Sequence, residues 1–169
     1  MRLVRSALFL VMTVANATAW GASGNWIVFD DADENGFDHN ASLWAGGMTL
    51  ENFEVHSGSV AAMARIQDFN GASWQAAATY STTSDYDGIS FWIKDQSGDA
   101  QDLAFLLYNA ANEIVGKITL ADAYGALPAG LWVNVRIPFA SLAAPSGTSD
   151  PTHFDNVVIR TYHGAGNTY

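Results

Sequence analysis

The chain of 169 residues contains no cysteine, so neither a disulfide nor a thiolate metal site holds it together. Positive charge is scarce too: seven Lys and Arg stand against seventeen Asp and Glu, a net charge of -10. Nucleic acid and anionic lipid are approached through basic patches, and this composition excludes them as natural partners. Past residue 19 no apolar run is long enough to span a membrane. Also missing are the local signatures of several chemistries. His39, His56, His153 and His163 form no His-x-His metal spacing, no serine sits in the glycine-framed setting of an activated nucleophile, and no glycine-rich turn links a strand to a helix to cradle phosphate.

What is present begins with Met1-Arg-Leu-Val-Arg5 and the apolar Ala7-Leu-Phe-Leu-Val-Met12, followed by the small residues Ala17-Thr18-Ala19. A basic start, a short apolar region and a small-residue cleavage site are the pattern of a secretory leader. Residues 1–19 are therefore expected to be a signal peptide, the mature protein to start at Trp20, and its location to be extracellular. Asn40-Ala-Ser42 is an acceptor pattern for N-glycosylation in a eukaryotic source.

The organising stretch is Tyr86-Asp-Gly-Ile-Ser-Phe-Trp-Ile-Lys94, where a polar turn gives way to β-branched and aromatic residues. Asp95-Gln-Ser-Gly-Asp99 is a polar loop, and Leu103–Tyr108 is a second apolar run, so the two read as central strands joined by a turn. Further strands are expected at Asn25–Phe29, Met48–His56, Ala61–Phe69, Trp74–Tyr80, Ile114–Leu120, Trp132–Ile137 and Asp155–Tyr162, with Asn70-Gly71 as a hairpin turn. Residues 121–130 read as a loop. The cleanest alternation is Trp132-Val-Asn-Val-Arg-Ile137, which puts Trp132, Asn134 and Arg136 on one side and Val133, Val135 and Ile137 on the other. With about nine strands and no helical period, repeat or linker, the expectation is one all-β domain over residues 20–169, a two-sheet antiparallel β-sandwich.

Two clusters carry possible chemistry. Asp31, Asp33 and Asn35 are spaced by two and followed by Gly36, a spacing that turns oxygen ligands inward in a tight calcium loop. A helix–loop–helix calcium site is excluded, because Ser42 stands where its closing glutamate belongs and a strand precedes the loop. The same carboxylates also suit a solvated polar loop. The aromatic candidates are Trp44, Trp74, Tyr80 and Trp132, with Gln75, Asn134 and Arg136 as polar companions. Trp44 lies among small residues that bury an indole poorly; Trp74, Ala76, Ala78 and Tyr80 share a strand face that is a shallow trough if open and ordinary packing if closed. Paired carboxylates across a cleft are not evident, since the acidic residues crowd into turns.

Four segments resemble the jelly-roll carbohydrate-binding modules of secreted polysaccharide-degrading proteins, which have a galactose-binding-like sandwich: Val28-Phe-Asp-Asp-Ala-Asp-Glu-Asn-Gly-Phe37, Tyr86-Asp-Gly-Ile-Ser-Phe-Trp-Ile93, Trp132-Val-Asn-Val-Arg-Ile-Pro-Phe-Ala-Ser-Leu142 and Phe154-Asp-Asn-Val-Val-Ile-Arg160. Their order and spacing carry the likeness. It implies a jelly roll with a structural calcium near the first strand, where Asp30 and Asp31 match the family's carboxylates and Asp33 and Asn35 are loop candidates. The family's second calcium contribution commonly comes from a final strand, and this sequence stops at Gly164–Tyr169 where that strand should begin, so either the sequence is a piece of a longer protein and the jelly roll lacks its last strand here, or the sheet is completed differently. The functional expectation is a secreted noncatalytic module that binds a neutral polysaccharide or oligosaccharide and works with a larger secreted protein or enzyme. An extracellular adhesion or structural protein binding another protein through a sheet edge is the alternative class, and a glycan hydrolase or lyase the third.

Overall fold

A computed structural model describes residues 6–11, 37–38, 48–52, 61–66, 71–81, 88–96, 103–143, 150–151 and 153–161. Its strands are β1 (Ser6–Val11), β2 (Phe37–Asp38), β3 (Met48–Glu51), β4 (Ala61–Ile66), β5 (Gly71–Ser81), β6 (Gly88–Asp95), β7 (Leu103–Tyr108), β8 (Ile114–Thr119), β9 (Trp132–Pro138) and β10 (His153–Thr161). They form two five-stranded sheets, the first in the order β3-β4-β1-β6-β9 and the second in the order β2-β5-β10-β7-β8. Every pairing between these strands is antiparallel. The all-β, two-sheet reading holds.

Alternation explains how the sheets close on each other. Val133, Val135 and Ile137 of β9 are buried, as are Ile89, Phe91 and Ile93 of β6. On the facing sheet Phe105 and Leu107 of β7 and Val157 and Ile159 of β10 join the same cluster. The rings of Phe91 and Phe105 stack across the interface at 5.8 Å between centroids. Because β7 is apolar at every position, its other face is covered as well: Ala104, Leu106 and Tyr108 form a second buried cluster with Val158. A strand buried on both faces reads as a continuous apolar run, which is what Leu103–Tyr108 is.

Several local expectations need correction. β6 and β7 lie in different sheets and so form no hairpin. Likewise β4 and β5 belong to different sheets, and Gly71 opens β5. The glycine there is needed for close strand approach: a Cβ would run into the Ile159 carbonyl oxygen and the Arg160 Cβ. The 121–130 loop starts with one helical turn, α1 (Leu120–Ala123), because Thr119 caps it: its Oγ1 accepts from the Asp122 amide at 3.0 Å and donates to the Asp122 carboxylate at 2.6 Å. Gly125, at φ 98°, then turns the chain out of the helix. Ser6–Val11, part of the leader-like segment, forms β1 between β4 and β6. The expected strand at Asn25–Phe29 lies outside the described residues.

Candidate binding face

Among the described residues, the outer face of the first sheet along β6 and β9 brings aromatic and polar groups together. Burial of Ile89, Phe91 and Ile93 turns Ser90, Trp92 and Lys94 the other way, and burial of Val133, Val135 and Ile137 does the same for Trp132, Asn134 and Arg136. The register sets Lys94 opposite Trp132, Trp92 opposite Asn134 and Ser90 opposite Arg136. Trp92 and Trp132 are thus diagonal neighbours, and such positions lie about 7–8 Å apart on a sheet, within reach of one flat ligand. Both indoles are partly buried.

Asn134 fixes the polar part of this face. Its Nδ2 donates to the Phe91 carbonyl oxygen at 3.4 Å, and its Oδ1 accepts from Arg136 Nε at 3.0 Å. One planar amide thus ties β9 to β6 and orients the exposed guanidinium beside the indoles. Arg136 keeps a permanent charge and a rigid donor fork, suited to hydroxyl, carboxylate or carbonyl oxygens.

The residues expected to act together are divided. Trp132, Asn134 and Arg136 share this face. Trp74 is fully buried in the core between the sheets, so the face it shares with buried Ala76 is closed where a trough would need it open. Gln75 lies half-buried on the second sheet, opposite Asn156 and Asp38. Tyr80 stands at the register position opposite Phe154. Trp44, Asp30, Asp31, Asp33 and Asn35 lie outside the described residues. Trp92 is the functional candidate that sequence reasoning missed. Its signal was available, since Ser90, Trp92 and Lys94 alternate with Ile89, Phe91 and Ile93 inside the organising stretch.

The outer face of the second sheet adds buried polar groups to the apolar cluster of Ala104, Leu106, Tyr108 and Val158. Ser73, Asn156, Arg160 and Tyr108 are each at most 5% exposed. Ser73 Oγ donates to Asn156 Oδ1 at 2.9 Å, and the Arg160 guanidinium carbon lies 5.9 Å from the centroid of the Tyr108 ring. Next to Asn156, burial pushes the Asp155 carboxyl above its ordinary value, and a backbone hydrogen bond partly opposes the shift. These groups specify packing on that side of the sandwich.

Among the described residues no group of three or more His, Asp and Glu side chains is placed to hold a metal ion. The described carboxylates include several with local roles: Glu113 accepts from Asn109 Nδ2 at 2.9 Å, Asp122 completes the α1 cap, and Asp150 lies 2.7 Å from His153 Nδ1. No helix among the described residues is long and apolar enough to cross a membrane. No protein-family model matches the chain, and neither the curated proteins nor the solved structures contain a significant match to it.

Proposed function

We propose that this protein is a secreted, noncatalytic module that binds a neutral polysaccharide or oligosaccharide through the outer face of β6 and β9. The observation that carries the reading is the diagonal pair Trp92 and Trp132 beside the hydrogen-bonded Asn134 and Arg136. Pyranose rings present apolar C–H faces to flat aromatics while their hydroxyls need directional partners, and this face offers both within one strand pair. A sheet surface is rigid, so little ordering cost is added on binding. The acidic composition suits a neutral ligand and an extracellular setting. The resemblance to jelly-roll carbohydrate-binding modules adds a structural calcium held by Asp30, Asp31, Asp33 and Asn35, and a role in tethering a larger secreted protein or enzyme to glycan.

The test is retention of the protein on a panel of soluble and insoluble polysaccharides, with calcium and then with chelator. Retention on one neutral glycan class that disappears in the Trp92→Ala/Trp132→Ala double variant supports the reading. Retention unchanged in that variant sinks this site, and lack of retention by demonstrably folded protein across the panel sinks the glycan reading. A melting temperature lowered by chelator supports the calcium, and an unchanged one argues against it.

A further inference from the structure

We infer that the gap between β4 and β6 is a strand-acceptor slot, filled by Ser6–Val11 in the unprocessed chain and by Asn25–Phe29 once residues 1–19 are removed. This rests on reading residues 1–19 as a cleavable leader, and it is independent of the glycan proposal. β1 is not an edge strand. It pairs with β4 from Ser6 opposite Ile66 to Leu10 opposite Ala62, and with β6 from Leu8 opposite Asp95 to Val11 opposite Trp92. Since β1 is antiparallel to both, β4 and β6 run in the same direction and are bridged only through it in the sheet order. Leader removal would therefore open two strand edges in the middle of one sheet, each a row of unpaired backbone donors and acceptors.

The walls of the slot state what it takes. Positions 8 and 10 share the face of Ala62, Ala64 and Ile93, all buried in the core cluster. Two small alanines on β4 ask for large apolar residues at the matching positions of the inserted strand, which is what the leader sequence offers there. Asn25-Trp-Ile-Val-Phe29 meets the same demand in either register: Trp26 with Val28, or Ile27 with Phe29, would take the core-facing positions. It is also close enough along the chain. The eight steps from Phe29 to Phe37 reach at most about 26–29 Å, against about 10 Å between packed sheets, so Phe37–Asp38 can keep its pairing with β5. A strand tethered this way faces the slot at high effective concentration, ahead of any strand from another molecule.

The absence of cysteine leaves hydrogen exchange as the direct readout. A specific protease site is inserted between Ala19 and Trp20 of the full chain, the protein is folded and then cut, the released fragment is separated, and amide exchange in Ala61–Ile66 and Gly88–Asp95 is compared before and after. The same is done with Val28→Pro, which removes a backbone donor from the proposed occupant. Expected is retention of protection in the cut parent chain, with exchange accelerated about a hundred-fold in cut Val28→Pro. Uncut Val28→Pro, with β1 still in the slot, keeps its protection and shows that the variant folds. Loss of protection in the cut parent overturns the inference, and its return on adding a separate apolar peptide would assign the slot to a partner strand instead. Equal protection in cut Val28→Pro, or a leader fragment that stays bound after cutting, overturns it too.

Discussion

Trp74→Ala and Trp132→Ala remove the same side chain from two strands of one sandwich, and the structure demands opposite consequences. Trp74 is 0% exposed in the core between the sheets, and truncating a fully buried aromatic costs about 3–5 kcal/mol. Domains of this size have about 5–15 kcal/mol in total, so Trp74→Ala is expected to unfold at a urea midpoint lower by about 2 M, taking about 2 kcal/mol per M as the slope. Trp132 is half-buried on the outer face of β9, where truncation leaves no core cavity, and the expected stability loss is about 1 kcal/mol. Binding should reverse the order. An aromatic anchor at the centre of a contact is worth about 2 kcal/mol, so Trp132→Ala or Trp92→Ala should weaken glycan affinity about 30-fold. A ligand that spans both indoles should lose about a thousand-fold in the double variant. The assay is calorimetric titration with the glycan identified by retention, with concentrations corrected for the folded fraction from urea curves. The reasoning is refuted if Trp74→Ala weakens affinity per folded molecule while Trp92→Ala and Trp132→Ala leave it unchanged.

Asn134→Ala should weaken glycan binding about tenfold, because Arg136 loses the acceptor that holds it at 3.0 Å, and it should add nothing once Arg136→Ala is in place; a double-mutant cycle by titration checks this. Gly71→Ala should destabilise the fold by about 1–3 kcal/mol in urea unfolding, since the added methyl meets backbone of Ile159 where little can yield, and a neutral result would mean that β5 and β10 can slide apart. Asp155 has its carboxyl raised from 3.8 by burial. The native state therefore holds that proton more tightly than the unfolded chain, so this residue's contribution falls as pH rises from 3.8 through the raised value. Asp155→Asn should accordingly be more stable than the parent at neutral pH, with the difference vanishing below pH 3.8; an unchanged pH profile would show that Asp155 is not the titrating group.

Strand identity was largely readable because burial leaves a mark at every second residue. Trp132–Ile137 announced its inward and outward faces in sequence, and the buried Val133, Val135 and Ile137 agree. Leu103–Tyr108 announced that it was apolar throughout, but not that a second layer of side chains would cover its outer face. Pairing was harder to read, since adjacency along the chain suggested a hairpin turn at Asn70-Gly71 and a turn between the two central strands, yet β4 and β5, like β6 and β7, are divided between the two sheets. Nothing local distinguishes a polar hairpin loop from a polar crossover. The same limit applied to Trp74: its alternation with Ala76 was visible, but whether that face met solvent or the opposite sheet depended on residues far away, such as Phe105 and Val135 in the same cluster. Trp92 was hidden by its neighbours, because Phe91 and Ile93 make the whole segment read as core unless the strand period is followed residue by residue.

The two outer faces of the sandwich differ in a way that favours one of them for the proposed binding. Both carry aromatic and cationic residues from adjacent strands: Tyr108 and Arg160 on the second sheet, Trp92, Trp132, Lys94 and Arg136 on the first. On the second sheet these groups are almost wholly buried, and Arg160 is engaged with the Tyr108 ring, so a ligand would have to displace packed protein before touching them. On the first sheet the indoles are partly buried and the guanidinium is exposed, held by an amide that also secures the strand pair. The cost of ordering Arg136 is already met in folding, which is the condition under which a small polar contact adds to affinity. On the proposed reading, a ligand recognised by stacking would therefore be expected on β6 and β9 rather than on the second sheet.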